Sequence, residues 1–390
     1  MPLPGSPQAR LPLAALLAAA CTAGLMLSPA RAADAPADHD RALRRQLREL
    51  TDAPGGPPGV IAVLEREHRT EVFRAGAADT GAARPIRTTD HMRIASTAKA
   101  YSGAVSLQLV DRGRLRLNDT IGQVLPRLPR TWHRVTLRQL LNHTSGLPDY
   151  SANPEFLSLV TADPRHRFDS RRLLDFVAAE PLAFRPGARY AYSNSDNIAV
   201  ALMAEAVTGR RYEDLLAQLV YRPLRMRSTS LPQGYRMPQP YMHGYDVTPP
   251  NPPEDVSEVL SASGVWASGG IISTPNDMTS FIRGYAGGTL ISDRTRRQQV
   301  SWVNGASEPA GPGANKAGLA LFRYTTRCGV VYGHTGNFPG YTQLVAATPD
   351  GKRSLTFSLT TQVNKTNKPE LLQRLRTVEE NFVCALLRKR

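Results

Sequence analysis

The stretch RIASTAKAYSGAVSLQLV, residues 93–110, decides the fold of this 390-residue chain. Apolar residues dominate the helix that it predicts, so this helix should lie in the core. Ser96 and Lys99 stand three positions apart and therefore share one face of the helix. A lysine inside a core is costly unless it is neutralised or paired, so Lys99 needs a special reason to be there.

The basic residues single out Lys99, which is one of six lysines against 42 arginines. Arginine is charged at any accessible pH, whereas a desolvated lysine can lose its proton and act as a base. The amine could then take the proton of Ser96 while the serine oxygen attacks a carbonyl. A surface Ser–Lys pair and a genomic preference for arginine are the alternatives. Against them, this is the chain's only S-x-x-K, and its surroundings are apolar.

Residues 1–32 have the pattern of a secretory signal: Arg10, an apolar run over 11–27 and the small-x-small site Ala30-Arg31-Ala32. We therefore predict a secreted protein, extracellular or in the cell envelope, with its catalytic domain at 33–390. A membrane anchor is the alternative, but the run is short and no second apolar segment accompanies it, so no stable anchor is expected. Lipidation at Cys21 is a weaker option.

The net charge is strongly basic, at +15, and loss of the leader would lower it to +13 by removing Arg10 and Arg31. The positive residues are spread along the chain without a concentrated arm, so no nucleic acid partner is expected.

Removal of the leader would leave two cysteines, Cys328 and Cys384. In an oxidising compartment an even pair favours one disulfide, which would tie a strand-like segment to a terminal helix. Two buried free thiols are the alternative. No histidines and cysteines have the spacing of a zinc site, so we expect neither a metal nor another cofactor.

Strand-like segments stand at both ends of the chain. Alternating residues at 60–64 and 70–75 predict a hairpin. A second block of strands is predicted at 319–324, 329–332, 341–347 and 354–359, with a turn at Pro349-Asp350-Gly351.

Helical spacing fills the region between them and the C-terminus, at 137–142, 171–179, 198–207, 212–220 and from Pro369 onward. We therefore predict an α/β (α+β) fold, in which an antiparallel sheet from both chain ends is flanked by helices. A helical subdomain, at roughly residues 110–260, would be inserted into it, with the functional site at the seam.

Two further triplets supply what a Ser–Lys enzyme needs. Tyr192-Ser193-Asn194 offers a phenol that can move a proton and an amide that can hold a substrate carbonyl or Lys99. His334-Thr335-Gly336 follows a strand-like run and offers a hydroxyl and a glycine that lets the backbone approach a ligand. Each triplet alone is weak evidence, since the first also suits a helix cap and the second a strand end. All three motifs in this order are far more specific.

Together the motifs resemble the serine penicillin-binding enzymes, and among them the secreted D-alanyl-D-alanine carboxypeptidases related to class C β-lactamases. The likeness runs from about Val60 to Cys384. It includes LLNHTSGLPDY at 140–150, RPGARYAYSNSDNIAVALMAEAVTG at 185–209 and YGHTGNFPGY at 332–341. His334 stands where class C β-lactamases usually carry lysine, which points towards a peptidase. The resemblance implies a β-lactamase/DD-peptidase-like fold.

The resemblance also implies roles for these residues. Ser96 would be the acylated nucleophile, Lys99 its activating partner and Tyr192 the group that passes a proton to the leaving amine. Asn194 would orient the substrate and the lysine, with His334 as a further catalytic residue. The backbone N–H groups of Ser96 and Asn337 would form the oxyanion hole.

The expected substrates are D-Ala-D-Ala-terminated peptides or peptidoglycan, with β-lactam antibiotics as inhibitors that acylate the same serine. Transpeptidation to an acceptor amine would accompany hydrolysis. The substrate carboxylate is assigned to Thr335, Gly336 and Asn337. Relatives use an arginine on the preceding strand, where Phe322 stands here, so Arg323 would contribute only if that strand were shifted by one residue.

Two other functions remain open from the sequence. A class C-type β-lactamase or an esterase could use the same machinery. A non-catalytic envelope binding protein is the alternative from another class, although it need not have retained Ser96, Lys99 and Tyr192 together. The absence of G-x-S-x-G argues against an ordinary α/β-hydrolase.

Overall fold

The computed structural model describes residues 35–66 and 69–388. The predicted leader at 1–32 lies outside the described residues. Within them, no helix is long and apolar enough to cross a membrane.

An antiparallel sheet of eight strands forms the centre of the molecule, in the order β2-β1-β12-β11-β10-β9-β8-β7. Its first two strands come from the N-terminal part and the other six from the C-terminal part, which confirms the predicted sheet from both chain ends. Two short pairs, β3 with β6 and β4 with β5, lie outside it. The strands are β1 (Gly59–Arg66), β2 (Arg69–Gly76), β3 (Met92–Arg93), β4 (Tyr245–Asp246), β5 (Glu254–Asp255), β6 (Ile272–Ser273), β7 (Val303–Asn304), β8 (Ala314–Ala317), β9 (Phe322–Thr326), β10 (Gly329–Phe338), β11 (Tyr341–Ala347) and β12 (Arg353–Leu359).

Helices cover both faces of this sheet. They are α1 (Ala35–Thr51), α2 (Ala98–Asp111), α3 (Ile121–Val124), α4 (Leu137–Leu141), α5 (Pro154–Ala162), α6 (Asn194–Thr208), α7 (Tyr212–Leu216), α8 (Trp266–Gly269), α9 (Pro275–Ala286), α10 (Asp293–Gln299) and α11 (Pro369–Leu387). Short 3₁₀ segments lie at Ala95–Thr97, Arg130–Trp132, Tyr150–Ala152, Ser170–Val177 and Ala262–Gly264, and a π-helical turn at Ala217–Tyr221.

Two apolar cores follow from this layering. One lies beneath α1 and α11, where Leu47 and Phe382 meet the sheet residue Phe357. The larger core lies between the other face of the sheet and the helices from α2 to α9. Helix α2 is buried along its whole length from Ala98 to Leu109, as its composition predicted. The start of α2 therefore stands where the sheet meets the helical region.

The structure differs from the sequence prediction in three places. The segment before β1, for which the sequence pattern predicted no helix, forms α1, because Leu43, Leu47 and Leu50 make one buried stripe. Strand β10 continues past Tyr332, so the His-Thr-Gly triplet lies inside a strand rather than after one. The helix expected at 171–179 is a 3₁₀ segment.

A disulfide joins Cys328 and Cys384, with the two Cα atoms 5.1 Å apart. Cys328 lies in the turn between β9 and β10, and Cys384 lies in α11. The predicted bridge between helix and sheet is thereby confirmed. It closes a loop of 56 residues that contains β10 with the His-Thr-Gly motif, β11, β12 and most of α11.

We expect Cys328→Ser to lower the free energy of unfolding by about 2–4 kcal/mol, because the bridge restricts a long loop in the unfolded chain. Urea denaturation of the mutant and of the oxidised wild type measures this. Cys384→Ser and the double mutant should match the single mutant. Equal stability of the oxidised wild type and the three variants would contradict the prediction.

Candidate active site

A cavity of about 960 Å³ opens at the seam between the sheet and the helices. Ser96, Tyr192, Asn194 and Asn337 line it, so the structure brings together residues from all three sequence motifs. Lys99 is fully buried behind Ser96. The site is thus assembled from four separate elements of the chain.

The Lys99 amine has three acceptors within hydrogen-bond distance. Its Nζ lies 3.1 Å from Ser96 Oγ, 2.8 Å from Asn194 Oδ1 and 2.7 Å from the Ser268 carbonyl oxygen. A neutral amine could donate to the amide and the carbonyl and turn its lone pair towards the serine hydroxyl. This geometry suits an amine that accepts the serine proton.

Burial lowers the pKa of Lys99 from 10.5 to about 7, although Asp149, Asp196 and Glu308 raise it. Desolvation therefore outweighs the attraction of three carboxylates. A base whose pKa lies near neutrality is present in its active form and still accepts a proton readily. The apolar surroundings of Lys99 in the sequence had predicted a desolvated lysine that can lose its proton.

Backbone geometry fixes the position of Ser96. Ala95 has a φ of 50°, a left-handed conformation that turns the chain from β3 into the nucleophile segment. Strand β10 passes directly beside this turn at Gly336. A Cβ atom there would stand 2.5 Å from the Ile94 carbonyl oxygen and 3.2 Å from the Ser96 nitrogen. Glycine is needed for this close approach, which brings β10 next to the Ser96 N–H group.

Tyr192 lies against Lys99, whose Nζ is 4.9 Å from the centroid of the tyrosine ring. The hydroxyl is buried, and burial raises its pKa, while the nearby Ser96 hydroxyl lowers it in part. Tyr192 is therefore protonated at neutral pH. A phenol in that state can donate a proton to a leaving group.

The Asn194 amide is oriented by groups that the sequence analysis did not identify. Its Nδ2 donates to Asp149 Oδ2 at 3.2 Å and to Ser151 Oγ at 2.9 Å. Its Oδ1 is consequently directed at Lys99. Asp149 lies at the end of the quoted LPDY sequence, so its position in the motif could have suggested a role. The Ser268 carbonyl has no sequence signature.

A buried histidine and carboxylate stand behind Tyr192. His143 Nδ1 lies 2.8 Å from Asp196 Oδ2, and its ring lies 4.5 Å from the Tyr192 ring. Burial lowers the pKa of His143 to about 3 and raises that of Asp196. The pair packs against Tyr192. Neither His143 nor Asp196 was singled out from the sequence, although both lie in the quoted stretches.

His334 is fully buried on β10 and does not line the cavity. Its Nδ1–H donates to the Thr335 carbonyl oxygen at 2.6 Å, which leaves Nε2 as the acceptor nitrogen. Burial lowers the pKa of His334 to about 3, with Lys99 and His143 acting in the same direction. The ring is neutral at physiological pH, and its catalytic role stays a prediction.

The residues expected to hold a substrate carboxylate are already engaged. Thr335 Oγ1 donates to the Pro309 carbonyl at 2.6 Å and does not reach the cavity. Asn337 lines the cavity, but its Nδ2 donates to Thr342 Oγ1 and to the Val363 carbonyl. Such a clamp would need these donors to change partners.

Arg323 is also not placed at the site. Phe322 pairs with Gly333, and its ring lies 4.9 Å from that of His334. Arg323, the next residue, is not among those lining the cavity. Adjacent strand residues face opposite sides, so Arg323 lies on the face opposite to Phe322, and its part in substrate binding stays a prediction.

This arrangement places a serine beside a buried lysine at the wall of a cavity, as expected for a serine hydrolase. A family model described as Beta-lactamase matches residues 21–379, and the chain belongs to that family. Penicillin-binding protein 4* of Bacillus subtilis is 25% identical over 297 residues, covering 72% of this chain and 63% of its own length. A putative D-alanyl-D-alanine carboxypeptidase of Escherichia coli K12 is 26% identical, covering 70% and 58%. The chain thus spans about six tenths of these curated relatives.

Solved structures match over a larger share. A D-stereospecific amidohydrolase from Streptomyces sp. has a TM-score of 0.74 and 27% identity, covering 86% of this chain and 98% of its own. A D-amino acid amidase from Ochrobactrum anthropi SV3 has a TM-score of 0.77 and 22% identity, covering 89% and 99%. A penicillin-binding protein from Bacillus halodurans has a TM-score of 0.70 and 19% identity, covering 86% and 99%. The last two show the likeness of the fold alone.

We expect acylation of Ser96 to depend on pH through Lys99. The neutral amine is the active form, so kcat/KM for an uncharged ester should rise with pH and level off above a midpoint near the Lys99 pKa of about 7. Below the midpoint it should fall roughly tenfold per pH unit. Lys99→Arg should lose this activity, because guanidinium stays protonated. A flat profile, or a midpoint above about pH 9, would count against Lys99 as the base.

Gly336→Ala should slow acylation by about 100-fold, because the added methyl group forces β10 or the Ser96 turn to move. Burst kinetics with a chromogenic ester measure this. Gly234→Ala is the matched control, since its Cβ would meet nothing within 4 Å and its φ lies outside the left-handed region. Acylation of Gly336→Ala within about threefold of the wild type would show that the close approach is not needed.

Proposed function

We propose that this protein cleaves amide bonds in D-amino-acid substrates by acyl transfer to Ser96. The observation that carries the proposal is the contact of Lys99 with both Ser96 and Asn194 beside the Tyr192 ring at the cavity wall. The two motifs that supply these side chains are far apart in the chain, with 95 positions between Lys99 and Asn194. Their convergence supports a catalytic site over a binding-only protein.

In the proposed reaction, Ser96 Oγ attacks the scissile carbonyl as its proton passes to the Lys99 amine. The backbone N–H groups of Ser96 and Asn337 would stabilise the oxyanion. The C–N bond then breaks as Tyr192 donates its proton to the leaving amine. Lys99 returns a proton to Tyr192. Water or an acceptor amine attacks the ester on Ser96 and frees the serine, so the enzyme returns to its starting state.

The finer activity that we propose first is that of a D-alanyl-D-alanine carboxypeptidase, with transpeptidation to acceptor amines. The names of the Bacillus and Escherichia relatives support it. His334 in place of a lysine supports a peptidase over a β-lactamase. Peptidoglycan-type peptides would be the substrates, and β-lactams would acylate Ser96.

A D-stereospecific amidohydrolase is the second candidate. It is supported by the Streptomyces enzyme, 98% of which is covered by this chain. The donors expected to bind a terminal carboxylate, on Thr335 and Asn337, are occupied by internal hydrogen bonds. Such an enzyme needs no carboxylate clamp.

Export to an oxidising compartment is part of the proposal. The Cys328–Cys384 bridge supports it, because disulfides persist mainly outside the cytosol. The N-terminal pattern of residues 1–32 supports it independently.

We expect intact-mass measurement after mixing with a penicillin to find one adduct on the wild type and none on Ser96→Ala. The substitution removes one oxygen atom and should leave the fold intact, which circular dichroism checks. An adduct on the mutant would exclude Ser96 as the nucleophile.

The lifetime of the wild-type adduct separates the related functions. A long-lived adduct agrees with a peptidase or amidase, because such sites do not position water to hydrolyse it quickly. Rapid recovery of the free mass would favour the β-lactamase alternative instead. Ser102→Ala is the matched control for Ser96→Ala and should still form the adduct. The Ser102 hydroxyl is buried and donates to the Lys99 backbone carbonyl and to Asn197 Oδ1.

A further inference from the structure

Four charged side chains line the cavity within the described part of the chain: Asp149, Glu308, Lys365 and Arg376. Two of them have strong partners of their own. The Asp149 carboxylate accepts hydrogen bonds from Asn194 and Ser151. The Arg376 guanidinium donates to the backbone carbonyls of residues 311 and 313. Only the other two charges are placed to meet a ligand without losing such bonds.

Glu308 and Lys365 form a long ion pair with each other. Glu308 Oε1 lies 3.7 Å from Lys365 Nζ, beyond hydrogen-bond distance. Both side chains are exposed, at 56% and 78%, so the pair contributes little stability. A cation on a substrate could therefore replace Lys365 as the partner of Glu308 at small cost.

The backbone around Glu308 is fixed in place. We call residues 306–310 the strap. Tyr190 donates to the carbonyl of Ala306 at 2.5 Å, and Thr335 donates to that of Pro309 at 2.6 Å. The strap therefore carries the Glu308 side chain beside β10. This is the place where the terminal carboxylate of the substrate was expected to bind. Because the backbone of the strap is already ordered, a ligand that binds to Glu308 does not have to order this segment.

The charge of Glu308 reaches the reacting groups. It raises the pKa values of Lys99, which is buried behind Ser96, and of Tyr192, which lines the cavity. The same field would act on any charge that a substrate carries near its scissile carbonyl. It would repel a carboxylate and attract an ammonium group.

We propose that Glu308 binds an ammonium group next to the scissile carbonyl, so that the preferred substrates are D-aminoacyl amides, esters or peptides with a free α-amine. This inference rests on the proposed acyl transfer to Ser96 and specifies its substrate class. It gives the strap a role in selecting substrates. It also gives a role to a carboxylate whose ion pair with Lys365 is long and exposed, at a site whose expected carboxylate donors are engaged.

The test compares kcat/KM for D-phenylalanine p-nitroanilide and its N-acetyl derivative, at about pH 6.5 where most of the free amine is protonated. The wild type should prefer the free amine by about tenfold or more, as expected for a hydrogen bond between charged groups. Glu308→Gln should reduce this preference about tenfold. Lys365→Gln, the matched control at the same mouth, should keep or increase it.

Two further readouts separate recognition from damage to the fold. Acylation by benzylpenicillin, an anion, should become faster in Glu308→Gln, since a repulsion is removed. In the wild type, raising the salt from about 0.05 M to about 0.5 M should weaken the preference for the free amine. A misfolded variant would instead slow every reaction.

Hydrolysis of p-nitrophenyl acetate, which is uncharged, reports on Ser96 independently. If the wild type hydrolyses this ester in a Ser96-dependent way but cleaves both anilides equally, the Glu308 inference is overturned and the proposed acyl transfer stands. An unchanged preference in Glu308→Gln would overturn it as well. Loss of ester hydrolysis in the wild type would instead refute the acyl transfer.

Discussion

The desolvation of Lys99 is the constraint on which the rest of the structure depends. Lowering its pKa from 10.5 to about 7 corresponds to roughly 5 kcal/mol in favour of the neutral amine. Such a shift requires a dry environment, and helix α2, which is buried from Ala98 to Leu109, provides it. The same environment must supply polar partners for the amine, because a buried polar group without partners is costly. Asn194 and the Ser268 carbonyl meet this need.

The sheet and the helices have separate tasks around this lysine. The helical region contributes the lysine, the tyrosine and the asparagine, and it buries them. The sheet contributes β10, which passes so close to Ser96 that only glycine fits at residue 336. The disulfide fastens the start of β10 to α11 on the far side. The cavity therefore opens where the sheet meets the helical region, and its walls come from different parts of the chain.

The charges around the site form a gradient from the interior to the mouth. Lys99 and the His143–Asp196 pair are fully buried, where ionisation is governed by desolvation. Glu308 and Lys365 are exposed at the mouth, where solvent screens them and where a substrate arrives. Under the proposed function, chemistry and substrate selection take place at different depths of one cavity.

The sequence alone determined the sheet from both chain ends, the buried helix α2 and the three motifs, because periodicity and short spacings are local properties. The Ser96–Lys99 pair follows from one helical turn. The sequence could also have predicted α1, since Leu43, Leu47 and Leu50 have helical spacing. The polar residues between them concealed the pattern. Only the tertiary structure decided which donors are free. The Thr335 hydroxyl is occupied by Pro309, Arg323 faces away because of strand register, and Glu308 reaches the mouth because the strap is tied to β10. These outcomes depend on contacts between residues far apart in the chain, which no local pattern records.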